Sequence, residues 1–388
     1  MCEKPGGASI LSNIINMREW LTREEALARL GVRAQTLYAY VSRGLVARAA
    51  DAADPRRSLY RAEDVADLER RRARGRGTAA IATGAIAWGE PVVDTALSTV
   101  ARGRLIYRGQ DAAALAEQAT LEAVAALLWQ AGAVTFDAFP AVAGEASPFA
   151  ALAALVGDAP ATIGRAPARL VGDAVQAVAA IAKAFGAVGD GPMHVRLARG
   201  WGLDAAGEEV VRRALVLLAD HELNPSTFAA RVAAATGASL AASLLAGLSA
   251  LSGPRHGGAG RATAALAAEA ARDGTERAVA RWLSSGLPLP GFGHPLYPHG
   301  DPRAAALLAE GTLDADLRAL AEAVAAATEA LPNIDFALLA AARAAGLPPD
   351  APFRLFAVAR AVGWTAHAME QAASGAAIRP RARYVGDL

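Results

Sequence analysis

From residue 91 onward the chain is dense in Ala, Leu and Val at helical spacing, and the alternation expected of half-buried strands is scarce. Apolar residues recurring every three to four positions bury one stripe of a helix, whereas a strand needs a period of two. The spacing predicts helices over 121–132, 150–156, 169–186, 208–221, 226–250, 261–273, 313–330, 336–345 and 352–374, with Pro and Gly clusters between them. The predicted class is all-α, with one short hairpin near Arg104-Leu105-Ile106-Tyr107-Arg108-Gly109. No Gly-rich loop follows a strand, so nothing supports dinucleotide or P-loop binding.

One stretch needs a membrane check. Between Arg231 and Arg255 no charged residue occurs, and that length suffices to span a bilayer. Its residues are mostly Ala, Ser, Gly and Thr, which insert poorly but let helices approach closely. A core or subunit-interface helix is expected, with no membrane contact. The formal net charge of +1 implies no global pull toward nucleic acid or lipid. Cys2 is the sole cysteine, which excludes an intrachain disulfide and a cysteine metal cage. With no basic start followed by an apolar run before Met17, a cytoplasmic location is expected.

The first 76 residues follow other rules. After a tail at 1–17, Thr22-Arg23-Glu24-Glu25 reads as a capping box, Ala26, Leu27 and Leu30 form an apolar stripe, and Gly31 ends the helix. A second helix carries Leu37, Tyr38 and Val41 and stops at Gly44. Asp54-Pro55-Arg56-Arg57-Ser58-Leu59-Tyr60-Arg61 then reads as a turn and a short basic strand, and Asp64, Val65 and Leu68 begin a third helix. This order resembles the MerR-like, excisionase-type winged helix-turn-helix family over about residues 18–72. The resemblance implies a DNA-binding module. Arg33, Gln35, Thr36, Tyr38 and Tyr40 would then lie near bases, and Arg43, Arg56, Arg57 and Arg61 near the backbone. A purely protein-binding role remains the other reading. The five arginines between Arg70 and Arg76 read first as a solvated linker. The expected divisions are a module at 18–76, a linker at 77–90 and a second domain at 91–388.

Within that second domain the polar residues in Gly- and Pro-rich loops are the candidates for chemistry. His294 lies in Gly291-Phe292-Gly293-His294-Pro295-Leu296-Tyr297-Pro298-His299-Gly300-Asp301-Pro302-Arg303, and His256 in Gly253-Pro254-Arg255-His256-Gly257-Gly258-Ala259. His221 sits in Asp220-His221-Glu222-Leu223-Asn224, and Asp335 follows Pro332-Asn333-Ile334. A neutral imidazole polarises a carbonyl and a guanidinium clamps a carboxylate, so a loop carrying both suits an oxo-acid. Taken singly, each histidine is more often structural, and Asp335 reads first as a helix cap. No two histidines have the spacing that places metal ligands on one helix face, so no metal is expected.

Together these segments resemble the citrate synthase family along nearly all of residues 91–388. Gly103-Arg104-Leu105-Ile106-Tyr107-Arg108-Gly109, Ser226-Thr227-Phe228, Phe356 with Arg360, Val362-Gly363-Trp364 and Ile378-Arg379-Pro380-Arg381 complete the match. The resemblance implies a large helical domain plus a small one, the latter about 257–350. It implies that Asp335 removes a proton from the methyl of acetyl-CoA, that His256 hydrogen-bonds the thioester oxygen and that His294 polarises the oxaloacetate carbonyl. His221, Arg303, Arg360 and Phe356 would bind oxaloacetate, with Arg379 supplied by a neighbouring subunit of a homodimer or higher homo-oligomer. The acyl-CoA is a substrate, and no cofactor is implied. Propionyl-CoA, which would give 2-methylcitrate, differs by one methylene and stays open. So does a regulator that senses metabolites without turnover. The chain departs from the family pattern just after His294. Pro295 stands where many bacterial relatives have Arg. Tyr297 and Pro298 stand where a basic residue usually helps hold CoA phosphates.

Overall fold

A computed structural model describes residues 20–32, 34–42, 45–51, 54, 57–74, 93–137, 147–286, 288–308, 313–382, 384 and 386. The chain divides into two units, Met1–Asp94 and Thr95–Leu388. The expected tail at 1–17 and linker at 77–90 lie outside the described residues, as do Arg33, Arg43 and Arg56.

The first unit runs β1 (Trp20–Thr22), α1 (Arg23–Leu30), α2 (Ala34–Ser42), β2 (Arg48–Ala50), β3 (Ser58–Arg61) and α3 (Ala62–Arg74). The capping box sets the start of α1. Thr22 Oγ1 accepts from the Glu25 backbone N–H at 3.3 Å, and Glu25 Oε2 accepts from the Thr22 N–H at 2.7 Å. Gly31 ends α1 at φ 58°, a conformation that suits a residue without Cβ. The strands pair antiparallel in the order β1-β3-β2, with Tyr60 opposite both Leu21 and Arg48. Tyr60 is buried with Ala26, Leu30, Leu37, Val46, Val65 and Leu68 in a core of this unit's own. Asp64 Oδ2 accepts from the Ala47 N–H at 2.8 Å and ties α3 to the segment before β2.

The second unit opens with β4 (Ser98–Ala101), β5 (Arg104–Tyr107) and β6 (Gln110–Asp111), paired antiparallel in that order. The single hairpin expected at 104–109 is thus a three-stranded meander. The cause is a repeated dipeptide: Arg102-Gly103 and Arg108-Gly109 all have positive φ, the turn geometry whose twist matches that of paired strands. With a small sheet in each unit, the fold is mostly helical rather than all-α.

The helices are α4 (Ala112–Leu115), α5 (Leu121–Trp129), α6 (Pro148–Val156), α7 (Pro167–Ala184), α8 (Met193–Trp201) and α9 (Ala205–Leu218), then α10 (Pro225–Ala234) and α11 (Leu240–Leu251). After these come α12 (Ala259–Asp273), α13 (Thr275–Ser284), α14 (Pro302–Leu308), α15 (Ala315–Thr328), α16 (Ile334–Ala344) and α17 (Ala351–Ser374). The one helix expected over 226–250 is two. Gly237 breaks it at φ 81°, and Ser239 Oγ caps α11 by accepting from the Ala242 N–H at 3.2 Å. Helices α8, α13 and α14 escape the spacing because they are short and interrupt few apolar residues with arginine.

Most helices of this unit build one large core, with α17 buried along much of its length. A smaller core gathers Leu266 of α12, Val279 of α13, Leu320 of α15 and Phe336 of α16, with Leu289 and Phe292 from the loop between α13 and α14. Helix α16 serves both: Ile334, Ala337 and Leu338 belong to the large core, Phe336 and Ala340 to the small one. The uncharged stretch is explained by α11 packing on α17. The Trp364 ring lies over Gly247, where a Cβ would stand 2.8 Å from the indole. No helix among the described residues is long and apolar enough to cross a membrane.

Gly363 is a close approach between α17 and the residues just after α9. Its N–H donates to Ala219 O at 3.1 Å. A Cβ there would lie 2.4 Å from Ala219 O and 2.5 Å from Asp220 Oδ1. Gly363→Ala should destabilise the chain by about 2–4 kcal/mol. Gly260→Ala, whose Cβ would meet only Pro352 Cβ at 3.9 Å, should shift stability by less than about 1 kcal/mol. Denaturant melts of the two variants check this, and equal midpoints would contradict it.

Candidate active site

Three loops and two helix starts converge. His221 follows α9 in a turn made by Glu222 at φ 51°. The turn is pinned from β4: Glu222 Oε1 accepts from the Val100 N–H at 2.6 Å, and Ser98 Oγ accepts from the Glu222 N–H at 3.0 Å. Residues 291–293 are zippered to the segment before α16. The Gly293 N–H donates to Leu331 O at 2.8 Å, the Asn333 N–H to Gly291 O at 2.9 Å, and Asn333 Nδ2 to Gly293 O at 3.0 Å. Each of these bonds ties the loop of His294 to the helix start that carries Asp335. His256 sits in a tight turn before α12, where a Cβ on Gly257 would lie 2.7 Å from Leu251 O.

His221 meets the rings of His294 and Tyr297 edge to face, and His294 and Tyr297 are tilted at 41°. His221 and His294 have centroids 5.2 Å apart, and Tyr297 lies 5.6 Å from the first and 4.9 Å from the second. His221 Nε2 is hydrogen-bonded to the Tyr297 hydroxyl at 2.9 Å. His294 Nδ1 accepts from the Leu296 N–H at 3.1 Å, so the proton of the neutral ring sits on Nε2. His256 Nε2 lies 2.8 Å from Ser226 Oγ. That hydroxyl accepts from Trp364 Nε1–H at 3.1 Å and is also 2.7 Å from Asn224 Oδ1. The hydroxyl donates to Asn224 Oδ1 when the His256 ring proton sits on Nε2, and can donate to Nε2 when that proton sits on Nδ1.

Two guanidiniums are buried beside these rings. Arg303 is bidentate to Asp301, Nε to Oδ1 at 3.0 Å and Nη2 to Oδ2 at 2.7 Å, and lies over the Tyr297 ring at 5.3 Å. Asp301 Oδ2 also accepts from the Ile334 N–H at 3.1 Å, which links the arginine to the start of α16. Arg360 donates from Nε to Leu218 O at 2.9 Å and lies over Phe356 at 4.9 Å. Its Nη2 is buried with no hydrogen-bond partner among the described residues. Phe356 also stands 6.3 Å from the His256 ring.

Burial sets the protonation states. It pulls His256 and His294 down to about 4, helped by Arg360 for the first and Arg303 for the second. His221 is pushed well below the usual histidine range by burial, then by Arg303, Arg360, His294 and His256. All three rings are thus neutral at pH 7. Burial raises Asp335 to about 6 against the opposing pull of Arg303, and lowers Arg360 to about 10 although Asp220 opposes it. The result is one carboxylate of raised basicity, three uncharged imidazoles and two cations. That set can ionise a weak carbon acid, polarise two carbonyls and bind a dicarboxylate.

The structure brings together His221, His294, Arg303, Arg360, Phe356 and His256, and sets Asp335 beside the Arg303–Asp301 pair. Arg379 is exposed on the segment after α17, and among the described residues no hydrogen bond or ion pair joins it to the cluster. Tyr297, Asp301, Ser226 and Trp364 had no role assigned from the sequence. Asp301 and Ser226 were visible as neighbours of candidate residues, but Tyr297 carried only the negative signal of not being basic. In the first unit Gln35, Tyr38 and Arg57 are exposed and Thr36 is half-buried. Among the described residues, no three His, Cys, Asp or Glu side chains group as metal ligands.

Residues 182–381 match the sequence profile of the citrate synthase C-terminal domain. The chain is 33% identical over 189 residues to citrate synthase 2 of Bacillus subtilis, covering 46% of this chain and 51% of that protein. It is 35% identical over 188 residues to a 2-methylcitrate synthase of Mycobacterium tuberculosis, covering 45% and 47%. The chain thus spans about half the length of the curated relatives it matches. The crystal structure of citrate synthase from Thermotoga maritima superposes with a TM-score of 0.67 at 26% identity, over 77% of this chain and 95% of that one. The profile match, the relatives and the shared fold agree, and the chain belongs to the citrate synthase family.

Proposed function

We propose that the chain condenses acetyl-CoA with oxaloacetate and water to give citrate and free CoA. The observation that carries this reading is a carboxyl of raised pKa at the start of α16, tied by backbone hydrogen bonds to a loop of neutral imidazole. Asp335, ionised above about pH 6, takes a proton from the thioester methyl. The enolate oxygen is met by His256. When Ser226 gives its hydroxyl proton to His256 Nε2, the ring carries its own proton on Nδ1 and can donate there. His294 donates from Nε2 to the ketone oxygen of oxaloacetate, whose carbon the enol attacks. Arg303, Arg360 and His221 hold the oxaloacetate carboxylates, with Arg379 reaching a second subunit's site in a homo-oligomer. Water then cleaves the citryl thioester and releases the thiol.

Thiol release with oxaloacetate and either acetyl-CoA or propionyl-CoA tests the reaction and its acyl preference together. A resemblance to both a citrate synthase and a 2-methylcitrate synthase supports running the two in parallel. Asp335→Asn should lower kcat about 10²–10⁴-fold while oxaloacetate binding, followed by calorimetry, persists. Unimpaired turnover would remove Asp335 from the role of base.

The same residue sets the acid limb of the pH profile. The carboxylate is the active form, so kcat/KM should fall tenfold per pH unit below about 6. A profile flat from pH 7 to pH 5 would contradict the assignment.

We also propose a second activity, duplex DNA binding by the first unit. Two helices, a β2–β3 hairpin and a third helix follow the order of a winged helix-turn-helix, and Gln35 and Tyr38 are exposed on α2. We read α2 as the helix that would enter a major groove and Arg57 as a phosphate contact from the hairpin. Duplex binding by the full chain should weaken with salt, and Arg57→Ala should reduce the salt slope by about 1. Binding unchanged when Gln35 and Tyr38 are both replaced by Ala would remove α2 from that role.

A further inference from the structure

Behind His221 lies a second line of buried polar side chains, none of which takes a part in the chemistry proposed above. Asp220 is fully buried against Gly363. Its Oδ2 accepts from Ser98 Oγ at 2.5 Å and lies 3.1 Å from His367 Nε2. On the other edge of the same ring, His367 Nδ1 is 3.1 Å from Arg231 Nη1. Arginine can only donate, so Nδ1 accepts and the ring proton sits on Nε2, directed at Asp220. Arg231 is itself held by Glu370 Oε2 at 2.7 Å and Gln371 Oε1 at 3.0 Å. Glu370 Oε1 accepts from the Ala96 N–H at 2.8 Å. The line thus runs from α10 through α17 to the residue before His221.

Asp220 acts on the substrate side in two ways. Its backbone fixes where His221 begins, in a turn whose far side is pinned by Ser98 and Val100. Its carboxylate is the anion that acts most strongly on Arg360. We propose that His367 is a positioning residue for the oxaloacetate clamp: donating to Asp220 and accepting from Arg231, it holds the Asp220 carboxylate where it orients His221 and balances Arg360. This rests on the synthase reading above.

The role makes a chemical demand that packing alone would not. The side chain at 367 must accept at one end and donate at the other. Glutamine meets that demand and leucine does not. With the full chain, oxaloacetate and acyl-CoA are varied separately in the thiol-release assay for His367→Leu, His367→Gln and Ser98→Ala, with a thermal melt of each. His367→Leu and Ser98→Ala should raise the oxaloacetate KM about tenfold or more and change the acyl-CoA KM less than about twofold, while His367→Gln stays within about threefold of the parent. Where His367→Leu does not fold, the other two variants decide the matter. An unchanged oxaloacetate KM in Ser98→Ala, or a glutamine variant that folds but is as impaired as leucine, overturns the proposal and leaves the synthase reading intact. A parent that releases no thiol defeats the synthase reading instead, and the oxaloacetate Kd from calorimetry then carries the same comparison. A parent that does not bind oxaloacetate at all defeats both.

Discussion

Two guanidiniums buried in one cluster, Arg303 and Arg360, set the terms for every other polar group around them. A buried cation without a counter-charge is expensive, and each has a buried aspartate. Asp301 grips Arg303 directly, whereas Asp220 acts on Arg360 through space and is itself held by Ser98 and His367. The residual positive field then does two things. It adds to burial, the larger cause, in keeping His221, His256 and His294 uncharged. It also leaves Arg360 Nη2, buried and unpartnered among the described residues, to receive an anion.

Asp335 shows how the fold raises a carboxyl at a helix start, where the exposed N–H groups should lower it. Those groups are already engaged: Asn333 Oδ1 accepts from the Asp335 N–H at 2.9 Å and Asp301 Oδ2 from the Ile334 N–H at 3.1 Å. Burial then dominates. A folded-state value near 6 against an ordinary 3.8 means that the folded chain holds this proton more tightly than the unfolded chain. The associated stability is present below 3.8 and lost as pH rises through about 6, on the order of 3 kcal/mol. A carboxylate of raised basicity and a maximally stable fold are therefore opposed at this residue.

Much of this was legible from the residues. The capping box at Thr22 and the long helices of 169–186 and 352–374 follow from local spacing, whereas the grouping of His221, His294, Arg303 and Arg360 was implied only by the resemblance to the citrate synthase family. The parts that were not legible depend on contacts distant in sequence. Nothing near His367 announces that its partners are Asp220, 147 residues away, and Arg231, 136 residues away. The division of 226–250 into two helices rests on one glycine, which a helical period tolerates until the backbone actually turns there. The second β-turn at Arg102-Gly103 was masked by short strands with little apolar alternation.

The loop after His294 shows how position changes the meaning of a substitution. A missing basic residue there suggests weakened CoA binding only if the side chain would face outward. Tyr297 faces inward: it is buried, bonded to His221 and covered by Arg303. A lysine or arginine in its place would add a third cation to a cluster already balancing two, and would depress the imidazoles further. At 297, then, tyrosine fits the buried cluster of His221, His294 and Arg303. Pro298 and His299 are the exposed positions. Arg255 and Arg261, beside the His256 turn, are exposed as well.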